Sequence, residues 1–247
     1  MSGRLTGKVA IVTGGARGQG ASHVRTLARE GAKVALTDVL VELGEALAAE
    51  LGDSVKFIRH DVSKPEDWER VVAATEAAFG PISILVNNAG IVFLKPYEET
   101  SFEEYQHVIA INQSSVFLGM KAVAPSMRRA SGGSIVNISS IAASKGIPGN
   151  MAYTAAKAAM VGMAKVAALE FVQDKIRVNT ILPGMIRTPM VEEVSKERLA
   201  GFNEGIPMKR MASTQEVSNL VVYLASDESS YSTGSDFVID GGIMASR

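Results

Sequence analysis

The sequence predicts a single doubly wound α/β domain, with a parallel sheet of about seven strands and helices on both faces. Three observations carry this. Short apolar runs of strand length alternate with longer amphipathic stretches along the whole chain of 247 residues. The short runs are apolar at successive positions, as strands covered on both faces are. Nothing rich in Pro, Ser or charge interrupts the alternation, so residues 1–247 read as one domain with no linker, repeat or low-complexity segment.

Taken in order, Val9-Ala10-Ile11-Val12 is a buried strand, Gly14 to Gly20 a turn, and Ala21 to Glu30 a helix closed by Gly31. Val34-Ala35-Leu36 is a second strand ending at Thr37-Asp38, followed by a helix from Val41 to Leu51 that Gly52 closes. Val55 to Ile58 is a third strand. Ser63-Lys64-Pro65-Glu66 has the form of a capping box with proline in the first turn, and opens a helix to Phe79. Ile84-Leu85-Val86 is a fourth strand. A second capping box, Ser101-Phe102-Glu103-Glu104, opens one long helix to about Met127. Ile135 to Ile138 is a fifth strand, Met151 to Phe171 a helix, and Arg177 to Leu182 a sixth strand. Ser213-Thr214-Gln215-Glu216 caps a helix to Leu224, and Phe237-Val238-Ile239 is the last strand.

Composition narrows the function. With 47% apolar residues the chain can bury a sizeable core, which excludes disorder. A net charge of -1 lacks the broad basic field of a nucleic-acid binder. The absence of cysteine excludes disulfides, thiolate metal ligands and a cysteine nucleophile, and suits a reducing cytosol. His23, His60 and His107 form no His-x-x-x-His pair, so no metal site is expected. The N-terminal residues have no apolar core of signal-peptide length, and no apolar run reaches membrane-spanning length. The expectation is a cytoplasmic protein with neither a membrane nor a nucleic-acid partner.

In a doubly wound sheet the ligand crevice lies beyond the carboxyl ends of the strands, so functional groups should follow the apolar runs. Thr13-Gly14-Gly15-Ala16-Arg17-Gly18-Gln19-Gly20 follows the first strand and opens a helix. Glycines permit a tight turn and close approach of backbone to a pyrophosphate, and the helix start supplies free N–H groups and a positive dipole end. The spacing is Gly-x-x-x-Gly-x-Gly rather than the general Gly-x-Gly-x-x-Gly, and a plain glycine-rich surface turn is the competing reading. The position, between first strand and first helix, favours phosphate binding in a Rossmann-type domain. Asp38 ends the second strand, where an acid accepts hydrogen bonds from an adenosine ribose and repels a 2′-phosphate, favouring NAD over NADP. Arg17 argues the other way, since a cation in the turn could meet that phosphate; Asp38, lying against the ribose itself, weighs more. Asp61-Val62, after the third strand, are candidates for the adenine. Asn88, Ala89 and Gly90, in the run Asn87-Asn88-Ala89-Gly90 after the fourth strand, suit close packing on a nucleotide, though the run is also ordinary turn chemistry.

Tyr153 and Lys157 stand four apart on a predicted helix and so share a face. An ammonium beside a phenol stabilises the phenolate and moves its pKa, ordinarily near ~10, toward neutrality. A half-buried aromatic beside a solvated charge is the bland alternative.

Thr-Gly-x-x-x-Gly-x-Gly, Asn-Asn-Ala-Gly, Ser139-Ser140, Tyr-x-x-x-Lys and Pro183-Gly184 occur in that order, each at a strand end or on the helix beside one. With these motifs in register the chain resembles the short-chain dehydrogenases/reductases over essentially its full length. Ser2-Gly3-Arg4-Leu5, Gly14 to Gly18, and Tyr223 to Tyr231 with Asp240-Gly241-Gly242 resemble the bacterial 3α(or 20β)-hydroxysteroid dehydrogenase branch. The resemblance implies an oxidoreductase moving hydride between a nicotinamide cofactor and a secondary alcohol or ketone, with a hydroxysteroid as one candidate. By the same resemblance Tyr153 is the general acid/base. Lys157 lowers its pKa and holds the nicotinamide ribose, and Ser140, thirteen residues before the tyrosine, orients the substrate oxygen, with Ser139 the lesser candidate. Asn112, midway along the long helix, binds a water linking Lys157 to solvent; bonding to a neighbouring turn is its alternative. Pro183, Gly184, Ile186 and Thr188 close over the nicotinamide.

Residues 190–211 occupy the place of the family's substrate loop. Their methionines, with Phe93, Leu94, Ile147, Met151 and Met185, predict an apolar pocket for a small ketone or alcohol. Two other functions compete: an NADPH-dependent 3-oxoacyl-(acyl-carrier-protein) reductase, which would want no acid at position 38, and a non-catalytic NAD-binding regulator, which would not need Asn112, Ser140, Tyr153 and Lys157 together. Excess apolar and small residues on the helices from Ser101 and Met151, with the resemblance, imply a homotetramer.

Overall fold

The computed structural model describes residues 3–188 and 203–246. Its sheet has seven parallel strands in the order β3-β2-β1-β4-β5-β6-β7. These are β1 (Val9–Thr13), β2 (Lys33–Asp38), β3 (Val55–Arg59), β4 (Ile84–Asn87), β5 (Gly133–Ile138), β6 (Ile176–Pro183) and β7 (Asp236–Ile239). The order reverses between β1 and β4, which opens a crevice beyond their carboxyl ends.

Among the described residues the α-helices are α1 (Gly18–Arg29), α2 (Val41–Leu51), α3 (Pro65–Phe79), α4 (Phe102–Ile109), α5 (Ser115–Arg129), α6 (Met151–Phe171) and α7 (Thr214–Ala225). Alternate residues of β1 explain the layering. Ala10 and Val12 join the core under α1, α2 and α7 with Val24, Leu27, Leu47 and Val221. Val9 and Ile11 join the opposite core under α3, α5 and α6 with Trp68, Val71, Met120 and Met160. Burial on both sides is why the strands carry no alternation of apolar and polar residues.

Of the two predicted capping boxes the one at Ser101 forms, and the predicted cap at Ser213 is a capping box as well. Ser101 Oγ accepts from Glu104 N at 3.1 Å while Glu104 Oε2 accepts from Ser101 N at 2.8 Å, and Ser213 and Glu216 repeat the exchange on α7. The box at Ser63 does not form. Asp61 Oδ1 takes both the Ser63 amide, at 3.0 Å, and its hydroxyl, at 2.6 Å, so α3 starts from Lys64 without a side-chain cap. A nearby Asp competes for local donors in this way.

The single long helix expected from Ser101 is two helices, α4 and α5, joined by a π-helical turn at Ala110–Ser114. Asn112 lies in that turn and is fully buried. Its Oδ1 accepts from Ile91 N and its Nδ2 donates to Ile91 O, both at 2.8 Å, so the wider turn carries the clamp on the strand β4 loop. Helix α1 begins at Gly18, three residues before its expected start.

Candidate active site

The glycine turn is built by steric exclusion. Gly14 has φ +62° and Gly18 φ +57°, the left-handed region. A Cβ on Gly20 would lie 1.9 Å from Gly14 O and 2.7 Å from Asn88 Nδ2, so no other residue fits there. Asn88 Nδ2 donates to Thr13 O at 2.9 Å and Gly14 O at 3.1 Å, and Thr13 Oγ1 accepts from the amides of Asn88 and Ala89. The Asn88 side chain therefore holds the turn, so it can reach a ligand only by its edge. The motif placed Thr13 at the end of β1, but its hydroxyl's hold on the β4 loop shows only in the fold.

A crevice of about 370 Å³ runs from this turn to Tyr153 and Lys157. It is lined by Gly14, Arg17, Gly18, Gln19 and Gly20 of the turn, by Asp38, Asp61 and Val62 after β2 and β3, and by Asn88, Ala89, Gly90 and Thr188. Arg17 is the N-cap of α1 and makes no side-chain capping bond, and no acid stands in the first turn, so the helix start keeps its positive end facing the crevice. Gln19 Oε1 is buried without a partner. Asp38 Oδ2 accepts from Ala16 N at 3.0 Å and Oδ1 from Leu40 N at 3.1 Å, which orients the carboxylate while leaving lone pairs on each oxygen. The Ser63 hydroxyl beside Asp61 is the first cause holding that carboxyl below its ordinary range. Val62 is buried, and its carbonyl accepts from Trp68 Nε1.

At the far end the two serines separate. Ser139 Oγ donates to Lys157 O at 2.9 Å and is buried. Ser140 Oγ accepts from Ala142 N at 3.1 Å and interacts with the Tyr153 phenol. Gly90 brings the chain close: a Cβ there would lie 3.4 Å from Asn112 Oδ1 and 3.6 Å from Lys157 Nζ. Burial pushes the Tyr153 pKa up, and the Ser140 hydroxyl opposes it. The expected depression by Lys157 is not the dominant effect here. Lys157 Nζ turns to the carbonyl of Ile138 at 2.7 Å, and its own burial lowers its pKa to about 8. No sequence signal could have found Ile138 O, since it is a backbone atom. Asn112 gives one bond to and takes one bond from Ile91, as the bond to a neighbouring segment weighed for it would have it, and keeps one N–H and one lone pair.

Not every candidate faces the crevice. Pro183 is buried at the end of β6, and Ile186 joins the core beneath α7 while pairing with Ala212. Gly184 N donates to Ile239 O, and a Cβ on it would meet Asp240 at 2.8 Å. These residues shape the wall through packing and backbone; Thr188 lines the crevice itself. Of the expected substrate loop, 190–211, residues 190–202 lie outside the described residues.

The chain matches the family model described as enoyl-(acyl carrier protein) reductase over residues 14–244. The 3-alpha-(or 20-beta)-hydroxysteroid dehydrogenase of Mycobacterium tuberculosis is 49% identical over 99% of this chain and 92% of its own length. The chain belongs to the short-chain dehydrogenase/reductase family. A 2,5-dichloro-2,5-cyclohexadiene-1,4-diol dehydrogenase of Sphingobium indicum is 42% identical over 98% of each chain. The cyclopentanol dehydrogenase of Comamonas testosteroni is 42% identical over 98% of this chain and 99% of its own length. As a short-chain dehydrogenase/reductase the protein is an oxidoreductase of the alcohol dehydrogenase and ketone reductase kind, and its family binds a nicotinamide cofactor. The residues present fit that group: the uncapped α1 start, the glycine turn and the oriented Asp38 carboxylate line one crevice.

Proposed function

We propose that the protein interconverts a secondary alcohol on an alicyclic ring and its ketone, with NAD as the favoured cofactor and Tyr153 as general acid/base. The observation that carries this is the pairing of ends: Asp38 at one end of the crevice, Tyr153 and Lys157 at the other. Relatives named for steroid, cyclohexadiene-diol and cyclopentanol substrates support the alicyclic class.

A nicotinamide held in the crevice would supply the hydride chemistry at the carbinol carbon. Tyr153, as phenolate, accepts the hydroxyl proton during oxidation and returns it during reduction. Ser140 donates to the substrate oxygen and orients it. Lys157 holds the ribose hydroxyls and keeps a positive charge beside Tyr153, which favours the phenolate and the oxygen as it becomes negative. The π-turn at Asn112 supports this by fixing Ile91, which lines the crevice near Tyr153. Asn88, Gly90 and Thr188 border the nicotinamide half, while Asp61 and Val62 border the adenine.

Phe93, Leu94, Ile147 and Met208 are exposed and are the apolar surface this reading assigns to a ring substrate. Apolar faces on α5 and α6 fit a homotetramer. No described helix is long and apolar enough to cross a membrane, and the lack of cysteine suits the cytoplasm.

The family model's description favours one second reading, reduction of an acyl-carrier-protein thioester; Asp38 weighs against its NADPH. Purified protein with NAD or NADP and a panel of cyclopentanol, cyclohexanol and a 3α-hydroxysteroid tests both, with NADPH and a 3-oxoacyl thioester as the rival arm. Turnover of the alcohols with NAD, abolished in Tyr153→Phe while NADH still binds, is expected. Turnover confined to the thioester, or full activity in Tyr153→Phe, overturns the reading.

A further inference from the structure

The segment Ile91–Lys95, between β4 and α4, arches beside the catalytic end of the crevice, which Ile91 and Val92 line with Tyr153. It contains no regular structure, yet both ends are pinned. Asn112 holds the Ile91 end. At the other end Lys95 makes two kinds of contact. Its amide donates to Gly149 O at 2.9 Å, two residues before α6 begins. Its Nζ donates to Glu104 Oε1 at 2.9 Å and Oε2 at 3.0 Å. Glu104 is also the capping-box acid of α4, taking Ser101 N, so the carboxylate is already oriented before Lys95 reaches it.

Phe93 repeats the contact one turn along. Its ring stacks on His107 with centroids 6.2 Å apart and planes at 26°, and Glu104 and His107 share a helix face at i, i+3. Gly149, at φ +80°, takes a left-handed conformation that favours glycine where it meets Lys95 N. Lys95 thus joins the arch, the start of α4 and the loop that delivers Tyr153.

We propose that Lys95 and Glu104 are positioning residues that set the distance between the apolar arch and Tyr153, and so fix how bulky a ring the mouth accepts. This rests on the alcohol dehydrogenase reading above. An exposed ion pair contributes little to global stability, so its two-point attachment of an otherwise irregular segment is where its effect should appear. Phe93 and Leu94, half and two-thirds exposed, are the surface being positioned.

The test compares Lys95→Met, Lys95→Arg and Glu104→Gln in the full-length protein; glutamine keeps the cap on Ser101 but loses the charge. With NAD and a 3α-hydroxysteroid, Lys95→Met and Glu104→Gln should raise KM about tenfold, leave kcat within about twofold, and leave the NADH Kd unchanged. Lys95→Arg should restore most of the KM. Hydrogen exchange should quicken in residues 91–96 of Lys95→Met while α6 stays protected. An unchanged KM, an NADH Kd that rises in step, or unchanged exchange in 91–96 overturns the proposal. Wild-type protein that turns over no secondary alcohol sinks the function instead, and exchange still reports on the anchor.

Discussion

Lys157 Nζ lies 5.6 Å from the centre of the Tyr153 ring and gives its hydrogen bond to Ile138 O rather than to the phenol. Lys157 is buried at the end of the crevice, and that burial lowers its pKa from 10.5 to about 8. A positive charge is thus kept in place at a cost to the fold, next to a tyrosine whose own burial favours the neutral phenol.

That cost has a pH signature. The unfolded chain binds the Lys157 proton more tightly than the folded one, so stability rises with pH between the two pKa values. The penalty is fully present below about pH 8 and is relieved toward pH 10.5. A shift of this size corresponds to about 3 kcal/mol. Lys157→Met, which lacks the charge, should show no such relief. The stability difference between wild type and variant, from urea melts at pH 7 and pH 10, should move by roughly 2–3 kcal/mol in favour of wild type. Parallel pH curves would show that Lys157 is not held at a depressed pKa.

Ser139 and Ser140 differ in what their hydroxyls already hold. Ser139 Oγ is spent on Lys157 O inside the fold, whereas Ser140 Oγ faces the phenol. Ser140→Ala should lower kcat/KM by about two orders of magnitude with NADH affinity intact, as loss of an oxyanion-type donor does. Ser139→Ala should cost about 1 kcal/mol of stability and less than tenfold in kcat/KM. The reverse ranking would assign the substrate oxygen to Ser139.

Asp38 is held by two amides, Ala16 N and Leu40 N, so its charge is fixed where β2 meets the crevice, the end proposed for the adenosine. Wild type should prefer NADH to NADPH. In Asp38→Asn one carbonyl oxygen remains for those amides while the charge is gone. Removing repulsion between charges a few ångströms apart is worth about 1–3 kcal/mol near a surface, so the NADPH-to-NADH ratio of kcat/KM should rise roughly 10- to 100-fold. Arg17, without a capping bond of its own, is the cation available to a 2′-phosphate. Adding Arg17→Ala to Asp38→Asn should take back part of the gain. Wild type that uses NADPH as well as NADH would refute the role given to Asp38.

The strands and most helices were legible because burial on both sheet faces writes continuous apolar runs, and because glycines at φ +65° and +90° close α2 and α3. Asp38, Tyr153 and the glycine turn were legible because they sit at strand ends or a helix turn apart. What was not legible depends on competition between nearby groups. The sequence Ser63-Lys64-Pro65-Glu66 fits a capping box, yet Asp61 takes the serine. The helix from Ser101 has no breaker at Asn112, and the π-turn arises from a bond to Ile91, 21 residues away. Lys157 would be expected to depress its neighbour's pKa, and only the enclosed geometry reveals burial as the larger effect.

Helix α6 carries the last prediction. Ala156, Met160, Ala164 and Ala168 pack into the core, but the opposite side is apolar too, with Val166 56% and Leu169 79% exposed. Only Lys157, Lys165 and Glu170 are charged along its 21 residues, and Lys157 is buried. A helix apolar all round is one that is buried all round. Phe117 on α5 is also half exposed, so the two helices together offer a surface for a second copy of the chain. Leu169→Glu places a charge there without touching the crevice. Sedimentation should show wild type as a tetramer and the variant as dimer or monomer, with the NADH Kd of the remaining folded protein unchanged. A wild type that sediments as a monomer, or a Leu169→Glu that assembles normally, would remove α6 from any interface between copies.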